Sequence, residues 1–261
     1  MRMLLLVLSL LSAWPARALD GLVRGGEDAV VEVVDGDTLK LRSGEQVRLV
    51  GIQAPKLPLG RPHFAKWPFA DEAKAALDAL ALGRTVTLWH GGARGDRHGR
   101  ILAHAVTGGG EWLQGAMLAA GLARVYTFED NRAKAREMLS LEGEARRRRL
   151  GVWAHPFYRV RQAEELAHGD WRAAVDTFVL VEGRPLRVAE AKGRTYLNFG
   201  EDWKSDFTVS VAPEDRSLFR RAGVDLAAFE GARLRVRGWL QSRNGPAIEA
   251  THPEQFERLE D

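Results

Sequence analysis

The sequence predicts a mainly β protein with interspersed helices (α+β), built as two small β-barrel-plus-helix domains. Three observations predict it. Short stretches of alternating apolar and polar residues recur at close spacing through both halves, which is the period of strands with one buried face. Turn pairs such as Asp35-Gly36 and Ser43-Gly44 separate them. Helical spacing is confined to a few segments set between the strands.

The first eighteen residues stand apart from this pattern. Arg2 is followed by an apolar run from Met3 to Leu11, then Pro15 and Ala16-Arg17-Ala18. A charged start, a short apolar stretch and an A-x-A site predict a secretory signal over 1–18, cleaved after Ala18. The alternative is an uncleaved anchor, but the run is shorter than the roughly 20 residues that span a bilayer. The chain is therefore expected to be exported, periplasmic or secreted, without stable membrane insertion after cleavage. It has no cysteine, which excludes disulfides, thiolate catalysis and cysteine metal sites.

The formal charge of the chain is +3 and includes Arg2 and Arg17. Residues 19–158 carry 20 basic and 17 acidic side chains, and residues 159–261 carry 16 and 18. So even a balance excludes a polyanion sponge, and any nucleic-acid contact has to rest on local arginines.

Residues 19–28 are polar and Gly-containing, the pattern of a flexible lead. Ala29–Val34, Thr38–Arg42 and Gln46–Ile52 predict three consecutive strands. Pro55, Pro58, Pro62 and Pro68 exclude regular helix or central strand between them. Ala70–Leu82 has helical spacing, acids in its first turn and Gly83 beyond its end. Thr85–Trp89 and Ile101–Val106 predict strands around the polar loop Gly91–Arg100. Trp112–Ala120 predicts a short helix stopped by Gly121, and Asn131–Arg149 a longer charged one ending near Gly151. Its run Arg146–Arg149 suits either a nucleic-acid patch or a solvated face paired with Glu142 and Glu144. Trp153 is expected to plug the core of this first domain, residues 28–158.

Residues 159–173 are expected to form a polar linker. Strands then follow near Phe178–Val188, Thr195–Phe199 and Asp206–Val211, a helix near Pro213–Ala222, and strands Arg233–Leu240 and Pro246–Ala250. Three strands, a helix and two strands is the order of a Greek-key barrel of the OB type, predicted over 174–258. Tyr196, Phe199, Trp203 and Trp239 with Arg194, Arg235 and Arg237 suit a single-strand-binding face, or core packing beside a solvated arginine ladder.

Five motifs in order span most of residues 30–154: Asp35-Gly36-Asp37-Thr38, Arg48-Leu49 with Pro55, Asp96-Arg97-His98-Gly99-Arg100, Gly121-Leu122-Ala123 and Leu150-Gly151-Val152-Trp153. On these the first domain resembles the staphylococcal nuclease (thermonuclease-like) family. Residues 174–258 are similar to the OB-like accessory domain of some exported members. The resemblance implies an OB-like five-stranded barrel with three helices and calcium-assisted hydrolysis of DNA or RNA phosphodiesters. It places Asp37 on a calcium-binding aspartate and Arg48 and Arg100 on the phosphate-binding arginines, whose fork geometry suits phosphate oxygens. It also places His98 and Tyr126 near positions that contact the nucleotide, with Arg97 beside them.

The chain departs from that family where the pattern Asp-Thr-Pro-Glu is expected and Gln53-Ala54-Pro55-Lys56 stands instead. Gln53 replaces the second metal-binding aspartate, leaving its neutral amide and the Ala54 backbone carbonyl as weak ligands beside Asp37. Lys56 replaces the glutamate that activates or positions water, and an ammonium group already carries the proton a base has to accept. Lys56 is thereby expected to act as a fixed cation, binding substrate phosphate with Arg48 and Arg100; the alternative is a relic pocket with Asp37 salt-bridged to Arg48 or Lys56. His63 and His98 are the other candidate bases.

Three functions follow. One is binding of nucleic acid or phosphodiester groups with calcium-dependent hydrolysis lost or weakened. Another is active metal-dependent cleavage of DNA or RNA. The third is an envelope protein-interaction module. The sequence leaves the oligomeric state, the partner and the choice between DNA and RNA open.

Overall fold

A computed structural model describes residues 19–169 and 171–260, so the expected signal at 1–18 lies outside the described residues. The chain divides into two compact units, Met1–Tyr126 with Ala133–Gly151, and Thr127–Arg132 with Val152–Asp261.

The first unit comprises β1 (Val23–Asp35), β2 (Thr38–Leu41), β3 (Gln46–Leu49), β4 (Gly51–Gln53), α1 (Ala70–Ala81), β5 (Thr85–His90), β6 (Ile101–Thr107), α2 (Leu113–Ala119), β7 (Arg124–Tyr126) and α3 (Ala135–Arg147). Five strands close a barrel in the order β1-β2-β3-β6-β5, antiparallel except where β3 runs beside β6. The expected α+β barrel class is the one observed. Alternation aims Leu39, Leu41, Val47, Leu49, Val86 and Leu88 into one core, and a register shift in β1 lets Val30 and Val33 join them. α1 covers it with Ala73, Leu77 and Ala81 at four-residue spacing.

Four details differ from the sequence expectations. β1 begins at Val23 because Val23, Arg24 and Asp28 pair with His90, Trp89 and Val86. Those residues are mostly exposed and show no apolar alternation. Leu19 and Leu22 also join the first core, so this lead is not loose. The strand expected over Gln46–Ile52 is broken at Gly51, whose φ of 79° redirects the chain. β4 then leaves the barrel and pairs with β7, a three-residue strand too short to register by periodicity. α3 begins at Ala135 rather than Asn131, because residues 127–132 belong to the other unit.

The arginine run at the end of α3 is a paired face. Arg147 bonds Glu144, and Arg146 lies 2.9 Å from Glu142. Glu142 is fully buried and also accepts the Val125 N–H at 2.8 Å, tying α3 to β7. Glu142→Ala is expected to cost about 3 kcal/mol, since it strands a buried N–H and an arginine. Arg148→Ala, an exposed side chain, should stay within roughly 0.5 kcal/mol of the parent. Urea midpoints of the two variants check this.

The second unit comprises β8 (Arg161–Gln162), α4 (Ala163–His168), β9 (Phe178–Gly183), β10 (Arg187–Ala191), β11 (Arg194–Asn198), β12 (Thr208–Val211), α5 (Arg216–Arg221), β13 (Leu234–Trp239), β14 (Gln241–Ser242), β15 (Pro246–Glu249) and β16 (Phe256–Arg258). One sheet runs β10-β11-β12-β15-β14 and the other β16-β13-β9-β8. β9 leads into β10 and β13 into β14, so the pairings follow the cyclic order of the first barrel, again with a parallel pair at β12 and β15, and β8 adds a second parallel pair beside β9. Residues 159–173, expected as a linker, instead carry β8 and α4. Ala163, Leu166 and Trp171 are buried in the second core. A six-residue helix has one apolar turn, which periodicity does not distinguish from a polar connector.

The arginine ladder is ion-paired rather than solvated. Arg235 pairs with Glu182 and Glu257, and Glu257 with Arg237, which is 1% exposed. Phe199 is buried in the core, whereas Trp203 is 54% exposed.

Candidate functional site

The candidate site forms where β1 turns into β2. Asp35 and Thr38 are register partners, with Gly36 and Asp37 between them. A Cβ on Gly36 would stand 2.7 Å from that of Ala54 and 2.8 Å from that of Ala73. Glycine is therefore what lets the turn lie against the segment after β4 and against α1. The backbone carbonyl of Asp37 accepts the Leu49 N–H at 2.9 Å, and Thr38 is the register partner of Arg48. The hairpin thus brings Asp37 and Arg48 together.

Lys56 completes the cluster. Its Nζ donates to both carboxylate oxygens of Asp37, at 2.8 and 2.7 Å, and lies 3.5 Å from Asp35 Oδ2. Asp37 is fully buried; it also accepts the Ala54 N–H at 2.7 Å, with Arg48 Nη2 at 3.4 Å. Burial alone would raise its carboxyl, but Arg48 and Lys56 hold it well below the usual carboxylate range. Asp35 moves the other way. Burial and the neighbouring Asp37 charge push its carboxyl up.

Arg48 borders this cluster through Asp37, and the remaining site residues fall outside it. Arg48 spends its guanidinium on the carbonyls of Leu49 and Ile52, each at 2.6 Å. Arg100 lies two residues before Leu102, which sits beside Arg48 in the adjacent strand. Its side chain is held by Asp96 through Nε at 2.7 Å and Nη2 at 2.6 Å. Asp96 also accepts the backbone N–H groups of His98 and Arg100. Arg97 donates to His98 at 3.2 Å, and both are exposed. Tyr126 is half-buried on β7 opposite Gly51, and His63 is exposed in the proline-rich loop.

Gln53 points at Arg124, not at Asp37: its Oε1 accepts from Arg124 Nη2 at 2.5 Å, and Arg124 lies over the Trp67 ring. Sequence reasoning missed Arg124, which is 71 positions away from Gln53. It also missed Asp96 as the partner of Arg100, although an aspartate opening a turn and accepting the next N–H groups is a familiar signal.

A calcium ion takes six to eight oxygen ligands, and the side chains here do not fit one. Both Asp37 oxygens are engaged by an ammonium, and the Gln53 oxygen is turned onto a guanidinium. Among the described residues, no three His, Cys, Asp or Glu side chains are grouped to hold a metal. In a buried acidic turn the Lys56 ammonium supplies the compensating positive charge.

Comparison with known proteins places this barrel. Residues 46–155 match the family model of staphylococcal nuclease homologues. Protein ParB of Escherichia coli is 33% identical over 144 residues, covering 49% of this chain and 72% of that protein. The chain belongs to the staphylococcal nuclease homologue family. Endonuclease YncB of Bacillus subtilis (strain 168) is 29% identical over 130 residues, covering 48% of this chain and 60% of its own length. The SPbeta prophage-derived endonuclease YokF of the same organism is 30% identical over 130 residues, 48% of this chain and 43% of its own length. Arg48, Gln53, Lys56, Arg97, His98, Arg100 and Tyr126 lie inside the span matched to the nuclease family, and Asp37 just before it. Family membership supports a nuclease-like, nucleic-acid-binding role.

Proposed function

We propose that the protein binds DNA or RNA through phosphodiester groups, and that its calcium-dependent hydrolysis is lost or weakened. One observation carries this: the Lys56 ammonium sits 2.7 and 2.8 Å from the two oxygens of Asp37. That carboxylate is the one the family resemblance assigns to the metal. A fixed ammonium neutralises it without offering the open coordination positions that polarise a phosphate or generate hydroxide. Lys56 also occupies the position of the family's water-positioning glutamate, and a missing general base costs about 10²–10⁴ in rate. Phosphate contact falls to the turn Arg97-His98-Gly99-Arg100, where Asp96 fixes the Arg100 guanidinium through Nε and Nη2, and the half-buried Tyr126 is the candidate to contact the base. Family membership favours this over an envelope protein-interaction module. The amino-terminal pattern of residues 1–18 supports export to the periplasm or medium as the setting.

Incubation with single-stranded DNA and RNA, in calcium, magnesium or chelator, is expected to leave the polymers intact. Metal-dependent cleavage abolished by Asp37→Ala would overturn the proposal. Binding should weaken as salt rises, and Arg97→Ala with Arg100→Ala should lower the logarithmic salt slope by about 1.4 on single strands.

A further inference from the structure

The outer face of the β10-β11-β12-β15-β14 sheet carries another candidate site. Strand alternation turns Thr195, Leu197, Val209 and Val211 inward, all at most 1% exposed. The opposite face of these strands presents Arg194, Tyr196 and Asn198 on β11, with Thr208 and Ser210 on β12. Register sets Arg187, Asn198, Thr208 and Ala247 in one row across four strands, and Ala189, Tyr196, Ser210 and Glu249 in the next. Small residues at 189, 191 and 247 leave the Tyr196 ring standing over an open concavity of about 450 Å³, within the size range of small-ligand sites.

Trp203 forms its rim. Its indole is 54% exposed, with Lys204 Nζ 5.7 Å from the ring centroid, and it stands on a hydrogen-bonded loop. Asp206 accepts the Asp202 N–H at 2.6 Å, and Asp202 accepts from Ser205 Oγ at 2.8 Å and from the Lys204 N–H at 3.1 Å. Asp202 and Asp206 are thereby engaged with their own loop.

Cations flank the rings. Arg187 lies on the edge strand β10 and has no ion pair or side-chain hydrogen bond among the described residues. Arg243 lies across the sheet in the β14–β15 turn, 57% exposed and 3.7 Å from Glu249. Glu249 is itself held by Arg194 at 2.5 Å. The residues lining the cavity include two arginines and no carboxylate. Aromatic platforms between guanidinium groups, with hydroxyls and an amide on the floor, suit a polyanion whose bases are free to stack.

We propose that this face binds single-stranded nucleic acid, with a base stacked on Tyr196 and Trp203 and the neighbouring phosphates on Arg187 and Arg243. The site lies outside the span matched to the nuclease family and does not depend on Asp37 or Lys56. A duplex keeps its bases stacked on each other and cannot use the platform.

The test is fluorescence anisotropy of a labelled 15-nucleotide deoxythymidine strand with the full chain at several salt concentrations. Trp203→Ala is expected to weaken binding about tenfold, the scale of one base–aromatic stack. Arg187→Ala with Arg243→Ala should lower the logarithmic salt slope by about 1.4. These side chains lie at the surface, and an unchanged urea midpoint verifies folding. A duplex of equal length should bind more weakly and ignore Trp203→Ala. The Trp203→Ala loss should persist in an Arg97→Ala, Arg100→Ala background, which separates this site from the one in the first barrel. Unchanged affinity in Trp203→Ala and an unchanged slope in the double variant, or no strand binding at all, would overturn the proposal.

Discussion

Lys56→Glu is expected to convert the first barrel into a fold that needs a divalent cation. In chelator the variant should lose at least about 3–5 kcal/mol, the cost of removing one partner from a buried ion pair. Asp37 is fully buried, and Lys56 is its shortest charged contact. The new carboxylate would also face Asp35 and Asp37, whose charges already oppose each other. Three carboxylates at one turn form an oxygen site, so calcium should recover part of the loss. At ten times its dissociation constant, a ligand that binds only the native state contributes about 1.4 kcal/mol. The parent protein should show no shift in unfolding midpoint with calcium. Lys56→Met separates charge loss from site creation, since it should be destabilised without responding to calcium. Calcium stabilisation of the parent would mean that Lys56 is not the cation this turn is built around. Restoring the family pattern fully with Gln53→Asp adds less than the sequence suggests, because residue 53 faces Arg124. An aspartate there pairs with that guanidinium first.

That contrast marks what a linear reading captures. The barrel strands were legible because two-residue alternation and Gly-containing turns are local signals, and Asp35-Gly36-Asp37 announced the hairpin by itself. The substitution of Lys56 was legible for the same reason, since it stands within a short motif. Its consequence was legible only as a choice, between a phosphate-binding cation beside Arg48 and Arg100 and a pocket in which Asp37 pairs with Arg48 or Lys56; the structure gives the Lys56 ammonium to both Asp37 oxygens. The engagement of Arg48 by the Leu49 and Ile52 carbonyls was not legible, because it depends on the backbone bend at Gly51. The hold of Arg124 on Gln53 depends on β4 leaving the barrel to meet β7, a pairing across the chain that three residues cannot advertise. In the second unit, Tyr196, Phe199 and Trp203 were grouped together by the sequence, as a binding face or as core, whereas the fold buries Phe199 and leaves Trp203 exposed and Tyr196 half-buried. Nothing local said that Arg237 would be buried against Glu257 while Arg187 has no ion pair among the described residues.

Acid should destabilise both units well above the carboxylate range, because each contains a buried neutral histidine. His104 is 1% exposed, and its Nδ1 accepts the Trp112 indole N–H at 3.3 Å. Burial pushes its imidazole down to about 4, with Lys134 and His90 acting in the same direction against the Ala133 backbone and Glu137. His252 is 2% exposed between the hydroxyls of Thr127, at 2.7 Å, and Thr251, at 2.9 Å. Burial, then Arg132 and Arg237, push it down to about 3. In the unfolded chain both groups return to the ordinary histidine value of about 6.5. A group whose folded pKa is depressed contributes stability that is complete above its unfolded value and is lost as pH falls towards the folded one. The window is therefore about 6.5 down to 4 for His104, and about 6.5 down to 3 for His252. At pH 5 each should already have removed about 2 kcal/mol, from 1.5 pH units at 1.36 kcal/mol each. Asp37 acts only lower, since its stabilisation is intact until the pH falls below the ordinary carboxylate value of about 3.9. Urea unfolding at pH 7.5 and 5.0 should show the loss. His104→Asn should lower stability at pH 7.5 yet flatten the pH dependence, and His252→Asn should do the same. A steep acid loss that survives in the double variant would place its origin in other groups.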